Sequence, residues 1–406
     1  MSEAPPRHLA ITEVLVRFWP YVGGVENTAY ELSRRMAARG HRVQVVCSDE
    51  APARPAEVEG VRVRRLPWIA KIGNANVCPG LWREARRARG DLYHTHLPTA
   101  LFPDAAGAAA RAHGVPLVIS YNTDLVVPGK ELLGRAYHRL MLARTLRRAA
   151  RIVVPNPACL RFSRYLPALR EKVVVIPWGV DLARFQPAPL PAAPPLIVGF
   201  LSLLDRHHRY KGLEDLLRGA ALAVERGADL HLRIGGAGDD VERYRALAAD
   251  LGLAGRVELL GFVPDDRLGA FFAGLHLFAL PSRHSLQEGF GLVALEAMAA
   301  GRAVLTTPIA AISGDLLERE AGVVSPVESP NAIADALAAA AAGALPLAAM
   351  GERARRLAEE RYGWDAVTAR YEELFLALAA GGEGGRMGSS SNTSSLAGTI
   401  QHKNRS

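Results

Sequence analysis

Short unbroken runs of Val, Ile and Leu alternate along this chain with stretches whose apolar residues recur at helical spacing. The runs LAITEVLV (9–16), HRVQVVCS (41–48), VEGVRVRRLP (58–67), DLYHTH (91–96), VPLVISYN (115–122), RIVVPN (151–156) and KVVVIPWG (172–179) predict strands, most of them buried on both faces. Between them, Asn27–Arg39 sets Ala29, Leu32, Met36 and Ala37 on one helical face, and Gly40 is its stop. A second series begins at LIVGFLS (196–202) and continues through HLRIGG, RVELLG, LHLFALP and AVLTT, with helices over Leu213–Arg226, Val241–Leu251 and Leu292–Ala300. The proline-rich text DLARFQPAPLPAAPP (181–195) separates the two series and has no periodicity. Repeated strand–helix units on both sides of such a segment predict an α/β protein of two doubly wound, Rossmann-like domains facing across a cleft.

The expected boundaries are an N-terminal domain over 1–187, a linker over 188–195 and a C-terminal domain over 196–362. A last helix over 363–380 is expected to pack back on the N-terminal domain. The Ser-, Asn- and Gly-rich text 381–406 cannot bury a core and is expected to be a disordered tail.

Composition narrows the class. At 406 residues the chain exceeds the roughly 250–300 that one core serves. Three widely spaced cysteines argue against a disulfide scaffold or a zinc site and fit a reducing cytoplasm. No run of 18 uncharged apolar residues is present, so no spanning helix is expected. The net charge of +8 suits an anionic partner without naming one. Nucleic-acid readout lacks zinc spacing, stacking aromatics or a helix-turn-helix pattern. A dinucleotide oxidoreductase is disfavoured because VGGVE, and not GxGxxG, follows the first strand.

The strongest chemical signal is EGFGLVALEAMAAG, Glu288 to Gly301. Gly289 and Gly291 let a turn approach a ligand closely. The helix from Leu292 aims its free N–H groups at that turn, an arrangement suited to a diphosphate. Glu288 in the loop and Glu296 one turn inside the helix point to the same place. Carboxylates beside a phosphate site make sense when they bind sugar or ribose hydroxyls.

This stretch resembles the Glu-x7-Glu signature of the retaining family-4 glycosyltransferases of the GT-B fold. PYVGGVE (20–26), RGHRV (39–43), VIPWGVD (175–181), KGLEDLL (211–217), GxxPDDRL (261–268) and ALPSR (279–283) resemble further landmarks of that family, in its order. The resemblance spans roughly residues 8–380 and specifies the family, not the substrate. It implies transfer of a hexose (mannose, glucose or similar) from a UDP- or GDP-sugar to a hydroxyl of a glycan, lipid-linked or small-molecule acceptor, with no resident cofactor and no metal.

Carried over residue by residue, it implies that Glu288 contacts the transferred sugar and Glu296 holds the ribose. Lys211 would place a point charge on the diphosphate. Gly23 and Gly24 would bring backbone N–H groups to the donor phosphate and acceptor, and Phe290, Gly291 and Leu292 complete the diphosphate turn. Phe262 and Val263 would present backbone to the base.

Two departures stand out. The family's usual Arg before the Lys is missing, and Arg206, Arg209 or His208 of LLDRHHRYKG are the candidates to replace it. Asn122 stands where many members have a His beside the reacting sugar, and an amide can hydrogen-bond but cannot titrate. These departures keep open a second reading, a non-catalytic nucleotide-sugar binder or a partner subunit of an active glycosyltransferase. A GT-B epimerase is weaker, because the Glu-x7-Glu arrangement does not suit its chemistry. His94 and His96 lie near a strand end, facing the cleft or serving structure. The Arg-rich stretches Trp82–Arg89 and Arg135–Arg151, the latter with Tyr137, Leu140 and Leu146 among its arginines, are either solvated outer faces or a seat for an anionic membrane surface. A cytoplasmic location, peripheral on the inner face of the membrane in the second case, is the corresponding expectation.

Overall fold

The computed structural model describes residues 8–21, 23–50, 55–72, 75–125, 131–157, 159–284 and 290–384. The strands of the N-terminal domain are β1 (Ala10–Val14), β2 (Arg42–Ser48), β3 (Glu57–Val58), β4 (Val61–Leu66), β5 (Ala70–Ile72), β6 (Ala75–Val77), β7 (Leu92–Leu97), β8 (Leu117–Tyr121), β9 (Arg151–Val154) and β10 (Val173–Val175). Those of the C-terminal domain are β11 (Leu196–Leu201), β12 (Leu230–Gly235), β13 (Val257–Gly261), β14 (Leu277–Leu280), β15 (Ala303–Thr306) and β16 (Gly322–Val324). The first sheet has the order β10-β9-β8-β7-β1-β2-β4-β3, the second β13-β12-β11-β14-β15-β16, and β5 and β6 form a separate hairpin.

All pairings within the two large sheets are parallel except β3 with β4. The run read as one strand over 58–67 breaks there into a two-residue hairpin. Glu59 (φ 45) and Gly60 (φ 79) both sit in the left-handed region that matches the twist of paired strands.

Each sheet reverses its winding once. From β1 the chain winds through β2 to β4, then returns to the other side at β7; from β11 it winds through β12 to β13, then returns at β14. Ligands of doubly wound sheets bind beyond the carboxyl ends of the strands at this reversal. The loops after β1, β7, β11 and β14 are therefore where substrates belong.

Three apolar cores hold the layers. One face of the N-terminal sheet packs on the helices Leu81–Arg87, Phe102–His113 and Ala143–Arg148 through Leu81, Phe102, Ala106 and Leu146. The other face packs on the helix Gly24–Ala38 and on the last helix, Trp364–Gly384, through Leu32, Met36, Val367 and Phe375. That last helix runs past Ala379, and ion pairs Arg39–Glu372 (2.5 Å) and Arg35–Asp365 (2.7 Å) hold it. The third core fills the C-terminal domain and already includes Phe185.

The chain crosses between domains at Val180, whose N–H donates to Tyr362 O at 2.8 Å where the last helix returns. The segment 188–195 lies on the C-terminal domain: Arg302 donates to Ala188 O (2.6 Å) and His276 Nε2 to Pro191 O (3.0 Å). The expected tail beyond Gly384 lies outside the described residues.

Candidate active site

At the C-terminal reversal, the loop after β11 ends in the turn Arg209–Lys211, and Gly212 starts the helix Leu213–Glu225. Gly212 has φ +81, and a Cβ there would lie 2.0 Å from Pro281 O, so only glycine lets this loop close against the loop after β14. Arg283 of that second loop grips Asp215 in a two-pronged ion pair at 2.7 and 2.5 Å, and Arg283 N donates to Tyr210 O at 2.7 Å. The two loops thus form one unit. Lys211 is half-buried beside the Tyr210 ring, with Nζ 5.3 Å from its centre.

The second loop leads to the helix Leu292–Ala299, capped by Gly291 at φ +87, a conformation costly for any side chain. Phe290 before it is buried and Leu292 after it half-buried. Glu288 and Gly289 lie outside the described residues. Glu296, one turn into the helix, is half-buried. Among the described residues no side chain hydrogen-bonds its carboxylate. Desolvation pushes it up from 4.5 to about 7; Arg184 opposes this and Asp265 adds to it.

The loop cations divide. Arg209 is held two-pronged by Asp240, both contacts at 2.6 Å, which raises the guanidinium and holds Asp240 below the usual carboxylate range. Arg206 is exposed, gives Nε–H to His207 Nε2 at 3.1 Å, and has no carboxylate partner among the described residues. His208 is tied to Asp205 at 2.9 Å, which holds that carboxyl down. After β13, Phe262 is 70% exposed, while Val263 turns back onto the core beside Gly235.

At the N-terminal reversal, Gly23 caps the helix Gly24–Ala38, and the space a Cβ on Gly24 would occupy is open to 4 Å. Arg17, which the sequence did not single out, is 4% exposed there. It bonds Glu50 at 2.6 Å and lies 4.7 Å from the centre of the Tyr21 ring. Glu50 also receives Lys71 (2.9 Å) and Asn76 (2.7 Å) from the β5–β6 hairpin; burial alone would raise its carboxyl, but these bonds hold it at about 2.

Asn122, at the end of β8, donates Nδ2–H to Leu97 O (2.9 Å) and accepts Trp178 Nε1–H (3.0 Å).

His94 and His96 do not face the cleft. With Glu13 they are 0–1% exposed: Glu13 meets His94 Nδ1 at 2.6 Å and His96 Nε2 at 3.3 Å, while His94 Nε2 reaches Ser120 Oγ at 2.8 Å. Ser120 Oγ in turn meets the Tyr371 hydroxyl of the last helix at 2.9 Å. Among the described residues this is the one group whose ligand atoms, all within 4.8 Å, could hold a metal. Two ligands of a tetrahedral zinc sit about 3.3 Å apart, so the 2.6 Å Glu13–His94 contact is a hydrogen bond and the group is a buried hydrogen-bonded network around a carboxylate.

Two family descriptions match the chain in order: Glycosyltransferase Family 4 over residues 22–184 and Glycosyl transferases group 1 over 197–357. It is 29% identical over 383 residues to the phosphatidyl-myo-inositol mannosyltransferase of Mycolicibacterium smegmatis, covering 89% of this chain and 92% of that one. It is 30% identical over 407 residues to the D-inositol 3-phosphate glycosyltransferase of Xylanimonas cellulosilytica, covering 87% and 91%. Its fold matches Anabaena HepE, solved in complex with UDP, with a TM-score of 0.69 at 19% identity, over 91% of this chain and all of that one. Two mostly parallel sheets, each reversing its winding once, and two family matches that fall one on each sheet have a single explanation: the chain belongs to glycosyltransferase family 4 and is a glycosyltransferase of the GT-B fold.

Proposed function

We propose that this protein transfers a hexose, with retention and without a metal, from a UDP- or GDP-sugar to a hydroxyl of an inositol phosphate, free or lipid-linked. The acceptor class rests on the names of the two inositol-directed relatives. The observation that carries the reading is Glu296, whose half-buried carboxyl is pushed up by desolvation, on the helix capped by Gly291. That helix follows β14, the neighbour of the strand β11 whose loop ends in the Lys211 turn. In this reading ribose hydroxyls donate to Glu296, and Lys211 and Arg206 neutralise the diphosphate. The bond from sugar C1 to the phosphate oxygen breaks as the acceptor oxygen bonds C1 on the same face. The acceptor proton passes to the departing diphosphate oxygen, so no protein nucleophile is required.

The test uses pH. Glu296 accepts hydroxyl donors best as a carboxylate, and at about 7 its carboxyl is largely protonated at pH 6 and ionised at pH 8. Binding of UDP-glucose or GDP-mannose, whose diphosphates do not titrate in this range, should tighten about tenfold from pH 6 to pH 8. Glu296→Gln should bind more weakly at pH 8 and lose that slope. Calorimetric titrations showing the same slope in both proteins would remove Glu296 from the ribose site.

The second reading, a non-catalytic nucleotide-sugar binder, draws on Asn122, whose amide is committed to Leu97 and Trp178. Tight binding of these donors with neither transfer nor hydrolysis would favour it.

The Arg-rich helical stretch 131–148 supports a peripheral membrane role in altered form. Leu146 is buried and the Tyr137 hydroxyl bonds Asp104, so the exposed large apolar side chains among the described residues of this stretch are Leu132, Leu140 and Met141, beside exposed Arg135, Arg139, Arg144, Arg147 and Arg148. Among the described residues no helix is long and apolar enough to cross a membrane. Vesicles containing phosphatidylglycerol should sediment the protein at low salt and release it at high salt, and pure phosphatidylcholine vesicles should not bind it. Equal binding to both would sink the electrostatic seat.

A further inference from the structure

Trp178 touches both domains at the point where the chain passes between them. Its Nε1–H donates to Asn122 Oδ1 at the end of β8, and its ring lies 5.8 Å from that of Phe290, inclined at 39°. Phe290 immediately precedes the Gly291 cap and meets Tyr362 edge to face at 5.8 Å; the Tyr362 hydroxyl is in turn bonded to Asp315. Asn122 is also fastened to Leu97 O. Next to Trp178, a Cβ on Gly179 would stand 2.3 Å from the Trp364 ring, so the two crossing segments are in tight contact.

We propose that Trp178 is a positioning residue for glycosyl transfer, its indole setting the distance between the end of β8 on the acceptor side and the Phe290–Gly291 turn on the donor side. The proposal rests on the reading of the site given above. Transfer requires groups held by separate domains to meet within about 3–3.5 Å, and a misplacement of about 1 Å costs on the order of a hundredfold in rate. An indole suits this place because its ring contacts a second ring at an inclined angle while its N–H fixes the orientation. Phenylalanine would keep the packing and lose the bond.

The experiment compares the full chain with Trp178→Phe, Asn122→Leu and the double variant, using UDP-glucose and GDP-mannose as donors and UDP and GDP as binding probes. Each single variant should lower kcat about tenfold or more at saturating donor. The double variant should lose no more than the worse single one, because both remove the same hydrogen bond. Affinity for the nucleotide diphosphate should stay within about twofold. Wild-type kcat in Trp178→Phe, multiplicative losses in the double variant, or a rate loss accounted for by weaker nucleotide binding would each overturn the positioning role. If the wild type transfers neither sugar, the readout is intrinsic fluorescence: the part of the emission removed by Trp178→Phe should change when UDP or GDP binds, and Asn122→Leu should abolish that change. An emission indifferent to bound nucleotide would overturn the coupling, whereas failure of the wild type to bind any of these nucleotides would overturn the donor site and the coupling with it.

Discussion

Replacing Lys211 by alanine should lower the rate of glycosyl transfer by about 10²–10³-fold while leaving the fold intact. The departing nucleotide diphosphate gains negative charge as the sugar–oxygen bond breaks. A cation fixed before the reaction stabilises that charge without solvent having to reorganise. Lys211 is fixed in this sense: its turn is closed by Gly212 against Pro281 O, and the Arg283–Asp215 pair locks the flanking loops. Lys211→Arg should restore only part of the rate, because a planar fork does not reproduce a compact ammonium on this turn. Steady-state kinetics with a saturating donor, beside a thermal melt of each variant, make the check. Glu288→Ala, suggested by the family signature, should abolish turnover as well. Transfer that survives both changes would show that the site lies elsewhere.

Glu13→Ala should destabilise the fold by about 3–5 kcal/mol at neutral pH. The cost arises because His94 and His96 stay buried after their shared acceptor is gone. The loss should depend on pH in a defined direction. Burial alone would raise the Glu13 carboxyl, yet His94 and then His96 hold it down from 4.5 to about 2. A carboxyl depressed in the folded state stabilises the fold above its unfolded value of 4.5, and that contribution fades as the pH falls towards 2. Denaturant melts of wild type and variant should therefore lie far apart at pH 7, begin to draw together below about pH 4.5 and approach each other towards pH 2. A constant gap across that range would mean that the lost carboxylate acted by packing rather than by charge.

Much of this architecture was legible in the residues. The strands β1, β2, β4, β7 to β15 and the helices over 24–38, 213–225 and 292–299 follow from local apolar periodicity, which a sequence displays directly, whereas the short β5–β6 hairpin was not read. The Gly291 turn was legible for a related reason, since a conformation that only glycine adopts easily leaves glycine behind as its mark, whereas the Gly212 turn was not singled out. Less was visible where the pattern is mixed. The run over 58–67 looked like one strand because its turn, Glu59–Gly60, is short and lies between valines. The outward display of Leu140 and the inward turn of Leu146 were also hidden, because a short helix interrupted by the π-helical turn His138–Leu142 does not keep a single face.

The roles of individual polar residues were harder to read. Arg209 and Arg206 looked equivalent in LLDRHHRYKG, yet Asp240, 31 residues from Arg209, claims one of them. Arg283 and Asp215 are 68 positions apart, Trp178 and Asn122 56, and Arg39 and Glu372 333. Nothing in the local text marks these pairs.

By itself, then, the sequence determined the family, the two-domain plan and the glycine turn that starts the helix at Leu292, because periodicity and backbone conformation act over a few neighbouring residues. The tertiary structure alone decided which charges are consumed by partners, that Glu13, His94 and His96 form a sealed network beneath the last helix, and that one indole joins the two domains at their crossing. Those outcomes depend on which side chains the sheet order and the returning helix bring within hydrogen-bonding distance, and distance in space is not written in distance along the chain.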